Sequence, residues 1–157
     1  MLAAGRLAVV TVGIGIALAA CGDTGGPEVN QSLCELQTLP FAGSAAAPSL
    51  TDVGLEIQPS GIVPVATASD PQGFANVDGV LQTIGVYPDA RCEGPPVEVQ
   101  DDLAGVGIEE TFGTAVPSTE ADLYAAIAAA DSWPVRVRFA DVDGNVTEGD
   151  ISARLIR

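Results

Sequence analysis

The sequence predicts an all-β fold, an antiparallel β-sandwich of about seven strands with one short crossover helix. Three observations carry that expectation. Apolar and polar residues alternate over 50–58 and again over 135–155, as half-buried strands require. Turn chemistry recurs at short intervals, in Pro59-Ser60-Gly61, Ser69-Asp70-Pro71-Gln72-Gly73 and Asp143-Gly144-Asn145. Residues 118–131 alone break the rhythm with a helical spacing.

Taken in order, the chain opens with one positive charge at Arg6 and an apolar stretch over 7–20 that ends in small side chains. That is the pattern of an export signal over residues 1–20, and it falls short of the roughly 20 apolar residues of a membrane span. Residues 21–48 read as a flexible tether, since Gly22, Gly25, Gly26, Pro27 and the small-residue run 42–48 break every strand or helix period. Between them, 34–41 holds enough apolar side chains to dock against the domain expected over 49–157.

In the first strand of that domain Val53, Leu55 and Ile57 face one way and Asp52, Gly54, Glu56 and Gln58 the other. Residues 62–68 form a second strand that the turn at 69–73 ends. A third over 77–87 has no polar face at its centre, so it belongs inside a sheet, and Pro88 stops it. A loop through Cys92 leads to a short strand over 97–100, and 111–116 is another, with Phe112 its largest residue. Over 118–131, Thr119 is placed to cap a helix, with Glu120 and Asp122 in the first turn and Leu123 and Ile127 on one face. A strand around 124–128 is the competing reading.

The terminal hairpin turns Val135, Val137 and Phe139 inward with Ile151, Ala153 and Leu155, leaving Arg136, Arg138, Asp150, Ser152 and Arg154 outside. Inward residues pair only across a loop of odd length. A three-residue loop over 143–145, with Gly144 or Asn145 in the left-handed region, sets Arg138 opposite Asp150 and Val137 opposite Ile151.

Composition narrows function. Twenty-one acids face six basic residues, all arginine, with no histidine, for a net charge of −15. Such a field repels phosphate backbones, which argues against nucleic-acid binding through a basic surface. Without His or Lys there is no ordinary Ser/His or Cys/His nucleophile pair, no Schiff base and no P-loop lysine, and zinc or copper lacks its usual imidazole. A non-enzymatic protein without a cofactor is therefore expected.

Leu18-Ala19-Ala20-Cys21, directly after the apolar stretch, resembles the lipobox of bacterial lipoproteins. The resemblance implies cleavage before Cys21, a diacylglycerol on its thiol and a further acyl chain, such as palmitate, on the new amine. Two or three chains exceed what stable membrane attachment needs, at about 0.8 kcal/mol per buried methylene. It places the protein in the cell envelope, lipid-anchored outside the cytoplasm, and Gly22 resembles the sorting pattern for an outer membrane where the cell has one. With Cys21 lipidated, Cys34 and Cys92 are left to form one disulfide in an oxidising compartment.

Further along, Val65-Ala66-Thr67-Ala68-Ser69-Asp70-Pro71-Gln72-Gly73, Val77-Asp78-Gly79-Val80 and Phe139-Ala140-Asp141-Val142-Asp143-Gly144-Asn145 resemble bacterial immunoglobulin-like domains over roughly residues 50–157. That resemblance implies a sandwich used for adhesion, display or assembly, with no catalytic residues and with an envelope protein or polysaccharide as partner. The alternative is a calcium- or carbohydrate-binding envelope protein. Asp141-Val142-Asp143-Gly144-Asn145 does not complete an EF-hand, because Val146 and Ser152 stand where Gly and Glu are needed. A calcium site of other geometry would join Asp70, or Asp101 and Asp102, to Asp141 or Asp143 at one end of the sandwich. The doublets Asp101-Asp102 and Glu109-Glu110 point to opposite faces of a strand, so neither makes a glycosidase pair alone. Trp133, just before a strand, reads as a cover for the core.

Overall fold

The structure, a computed structural model, describes residues 33–74, 82–101 and 105–157. The expected export signal, Cys21, the tether as far as residue 32, the opening of the third strand and Asp102 lie outside the described residues. Those described are mostly β with one short helix. The strands are β1 (Leu36–Gln37), β2 (Phe41–Ala42), β3 (Ser49–Gln58), β4 (Gly61–Phe74), β5 (Gln82–Val86), β6 (Val97–Asp101), β7 (Gly105–Thr111), β8 (Val116–Pro117), β9 (Ser132–Ala140) and β10 (Val146–Ile156), with helix α1 (Ala121–Ala129) between β8 and β9.

Hydrogen bonding joins the longer strands in the order β6-β5-β9-β10-β3-β4-β7. The pairing is mixed, which corrects the wholly antiparallel expectation. β3 and β10 run parallel through Gly54–Glu56 and Arg154–Ile156, while β3 pairs antiparallel with β4 along nearly its whole length. The two ends of this path, β6 and β7, are separated by only three residues in sequence. At 3.8 Å per residue such a link forces the outer strands near one another, so the sheet curls around its own apolar side.

That interior is continuous. Leu50, Val53 and Leu55 of β3 share it with Ile62, Ala66, Ala68 and Phe74 of β4, Ile84 and Val86 of β5, Val135, Val137 and Phe139 of β9, and Ile151 and Ala153 of β10. Leu50 and Val53 are three apart, which a plain strand would set on opposite faces; an irregularity between Leu50 and Asp52 keeps both inside. Phe139 meets Phe74 and Phe112 edge to face, at centroid separations of 6.3 and 6.2 Å.

Several boundaries differ from expectation. The 69–73 segment bends the second strand without ending it: Asp70 Oδ1 accepts the N–H groups of Gln72 and Gly73, and β4 continues to Phe74. The strand expected over 111–116 is instead β7, which ends at Thr111, followed by the short β8. α1 forms, but Glu120 and not Thr119 occupies its cap position, without a side-chain bond. Contacts further along hold the helix in place: Ile127 is buried, Tyr124 Oη donates to the Gln58 carbonyl at 3.0 Å, and Arg157 donates to the Ala128 and Ala130 carbonyls at its C-terminal end.

The described part of the expected tether is docked. β1 pairs with β10 and β2 with β3, the Leu39-Pro40 peptide is cis, Leu39 and Phe41 pack on the core, and Ala47 is buried. Cys34 is bonded to Cys92, with Cα atoms 5.8 Å apart. In the terminal hairpin the inward and outward faces fall as expected, but the loop is five residues, 141–145, so Arg136 lies opposite Asp150, Arg138 opposite Glu148 and Val135 opposite Ile151. The parity rule allows five as readily as three; the Asp141 side chain decides.

Candidate functional site

Asp141 is fully buried and organises the hairpin tip. Its Oδ1 accepts the N–H groups of Asp143 (2.9 Å) and Asn145 (2.8 Å), and its Oδ2 accepts the Asn145 side-chain amide at 2.8 Å. Gly144 supplies the left-handed residue, with φ +83°. Burial pushes the Asp141 carboxyl up, but the Asn145 amide and the surrounding backbone N–H groups outweigh it and hold the group below the ordinary carboxylate value.

Asp70 organises the neighbouring bend, and a bond from Val142 N–H to the Gly73 carbonyl ties the two loops together at 3.0 Å. Asp101 belongs to the same end of the molecule, since it pairs with Gln82, whose side chain both donates to and accepts from the backbone of Ala140. The structure thus gathers Asp70, Asp101, Asp141 and Asp143 at one end. Among the described residues no three acids converge as a metal-binding group. Asp70 is 1% exposed, and its Oδ2 has no hydrogen-bond partner.

A second feature lies beside the disulfide. A groove of about 430 Å³ is lined by Leu33, the Cys34–Cys92 bond, Tyr87, Pro95, Pro96, Arg136 and Asp150. At its floor Tyr87 Oη donates to Asp150 Oδ1 at 2.8 Å, and Arg136 grips both oxygens of the same carboxylate through Nε (3.0 Å) and Nη2 (3.2 Å). The guanidinium also stands 5.8 Å from the Tyr87 ring centre. Burial and the Asp150 carboxylate push the Tyr87 phenol up to about 12. Sequence reasoning missed this cluster because it paired Asp150 with Arg138. The signal that marks it is the aromatic residue ending the third strand before Pro88.

Neither large ring offers a sugar platform here. Tyr87 is buried, and Trp133 covers the core while donating Nε1–H to the Tyr87 carbonyl at 2.9 Å. Glu109 and Glu110 border a smaller depression with Asp52 and Arg154, whose 2.6 Å ion pair holds the Asp52 carboxyl below its usual value. Both partners are partly exposed, so the pair adds little stability. No helix among the described residues is long and apolar enough to cross a membrane. Comparison of the chain with protein-family models, curated proteins and solved structures finds no match.

Proposed function

We propose that this chain is an extracytoplasmic lipoprotein, anchored through Cys21, whose folded part is a non-enzymatic immunoglobulin-like module that binds or scaffolds another envelope component. The observation that carries the reading is the strand order. Taking β3, β4 and β7 as one layer and β6, β5, β9 and β10 as the other gives the A-B-E and C′-C-F-G groupings of an immunoglobulin-like sandwich. The first long strand then bridges the layers through its short parallel contact with the last. The helix falls on the crossover from β7 to β9, where the chain changes layer.

The non-enzymatic part of the reading rests on composition, which offers no imidazole or lysine. The anchor rests on Leu18-Ala19-Ala20-Cys21 following the apolar stretch. Intact-mass spectrometry of the membrane fraction tests both location and processing. The expected product begins at Cys21, carries two or three acyl chains and has one disulfide. A water-soluble product with an unmodified Cys21 overturns it, and turnover of a glycoside or ester panel overturns the non-enzymatic reading.

One observation favours a second reading, cation binding at the loop end. The buried, unpartnered Asp70 Oδ2 is a costly arrangement for a carboxylate unless something neutralises it. A calcium titration that raises the melting temperature, and fails to do so in Asp70→Asn, supports this reading; an unchanged melting temperature in the parent protein removes it.

A further inference from the structure

The strand β10 is flanked on one edge by β9 along its length, but its other edge is divided. β3 covers Arg154–Ile156, and β1 covers Asp150 and Ile151. The backbone beneath β1 would be open if that short segment left. Gly149 makes the crossing possible, since a Cβ there would lie 3.0 Å from the Phe41 ring and 3.2 Å from Gln37 Cγ.

What holds residues 33–42 is modest for their length. β1 and β2 contribute two residues each, Leu36 is 42% exposed and Leu33 71% exposed, and one backbone bond joins Leu33 N–H to the Arg91 carbonyl. Beyond Leu39 and Phe41, the strongest tie is the bond from Cys34 to Cys92. The two cysteines sit in very different settings. Cys92 is fixed in a turn that Asp89 organises: its carboxylate accepts the N–H groups of Arg91 (2.7 Å) and Glu93 (3.2 Å), and its carbonyl accepts that of Cys92. Cys92 is also the one non-glycine residue with positive φ among those described, at +66°. Cys34 sits on the lightly held strap. Both cysteines line the groove, where Cys92 is buried and Cys34 is half-buried, so the bond is approached from the Cys34 side.

We propose that the Cys34–Cys92 bond is a reducible latch that keeps residues 33–42 strapped along the edge of β10 at Asp150 and Ile151, and that opening it frees this segment from that edge. The reductant is a dithiol. One of its thiolates attacks a sulfur of the bond, forming a mixed disulfide and releasing the other cysteine as thiolate. The second thiol of the reductant then displaces the mixed disulfide. The reductant leaves as a disulfide, having given two electrons, and Cys34 and Cys92 each end with one proton. Because Asp89 and not the disulfide shapes the turn that presents Cys92, the receiving half of the latch persists for reclosure. This inference goes beyond the proposed function and depends on neither the lipid anchor nor the layer assignment.

Hydrogen exchange of the full chain, read by mass spectrometry with and without dithiothreitol, tests it. Reduction is expected to speed exchange over residues 33–42 at least tenfold, while β3, β4 and β9 keep their protection and the cooperative melt survives. Cys34→Ser should reproduce that pattern without reductant, and reoxidation of the parent protein should reverse it. Unchanged exchange over 33–42 after reduction overturns the latch. So does loss of protection throughout the sheet, which would make the bond a staple for the whole fold, or failure of reoxidation to restore the strap.

Discussion

At the scale of single residues, the side chains that matter most are polar groups fastened inside an apolar molecule. Tyr87 is the clearest. Its phenol ionises at about 12 when folded, against 10.0 for the ordinary group, so the folded protein holds that proton more tightly than the unfolded chain does. The resulting stabilisation is complete below pH 10 and is lost as pH rises towards about 12. Tyr87→Phe should therefore cost about 1 kcal/mol near neutrality, through the lost bond to Asp150, and flatten the fall in stability above pH 10. Urea melts across that range measure it, and parallel profiles for the two proteins would contradict it. Gln82 plays a related part: in a run expected to be apolar its side chain satisfies both backbone groups of Ala140.

Among elements, the terminal hairpin and the first strand were legible because their side chains alternate against one large interior, and burial enforces the choice of face. The hairpin's register was not. Asp141 and Val142 read as the end of the strand until the Asp141 carboxylate is seen to take the N–H groups two and four positions on, and that local bonding lengthens the loop. The same competition misled at Asp70, where two captured N–H groups bend a strand that the Pro-Gln-Gly signal suggested had finished. Residues 42–48 misled in the other direction, since small residues that suit a tether also permit close packing. A Cβ at Gly43 would run into the carbonyl oxygen of Val146, while the Gly43 N–H donates to Thr147 Oγ1 at 2.9 Å. Gly43→Ala should therefore destabilise the domain by about 1 to 3 kcal/mol, as overpacking does, where a true tether would be indifferent. A thermal melt of the variant decides between them.

For the whole molecule, the all-β class followed from local periodicity, but the strand order did not, because the pairings that link its hairpins, β5 with β9, β10 with β3 and β4 with β7, join segments far apart in the chain. The loop-end acids were gathered by those same long-range pairings, so their types were visible in the sequence and their grouping was not. Charge acts at this scale too. A net −15 on a small body repels itself, and raising salt from about 0.01 to about 0.15 M shortens the screening length from about 30 to about 8 Å. The melting temperature should rise by about 2 to 6 °C over that interval, corresponding to roughly 0.5 to 1 kcal/mol. A flat response would mean that the acids are already neutralised.

The bond between Cys34 and Cys92 has a mechanical side as well. Tension applied through the chain ahead of Leu33 reaches Cys34 and passes across the sulfurs to Cys92, bypassing the stretch of sequence separation 58 that the bond closes. β1 to β5 lie inside that closed stretch, so the covalent path of the load does not run through them. Only with the bridge open would a pull travel along the backbone and peel β1 from β10 before any strand of the core felt it.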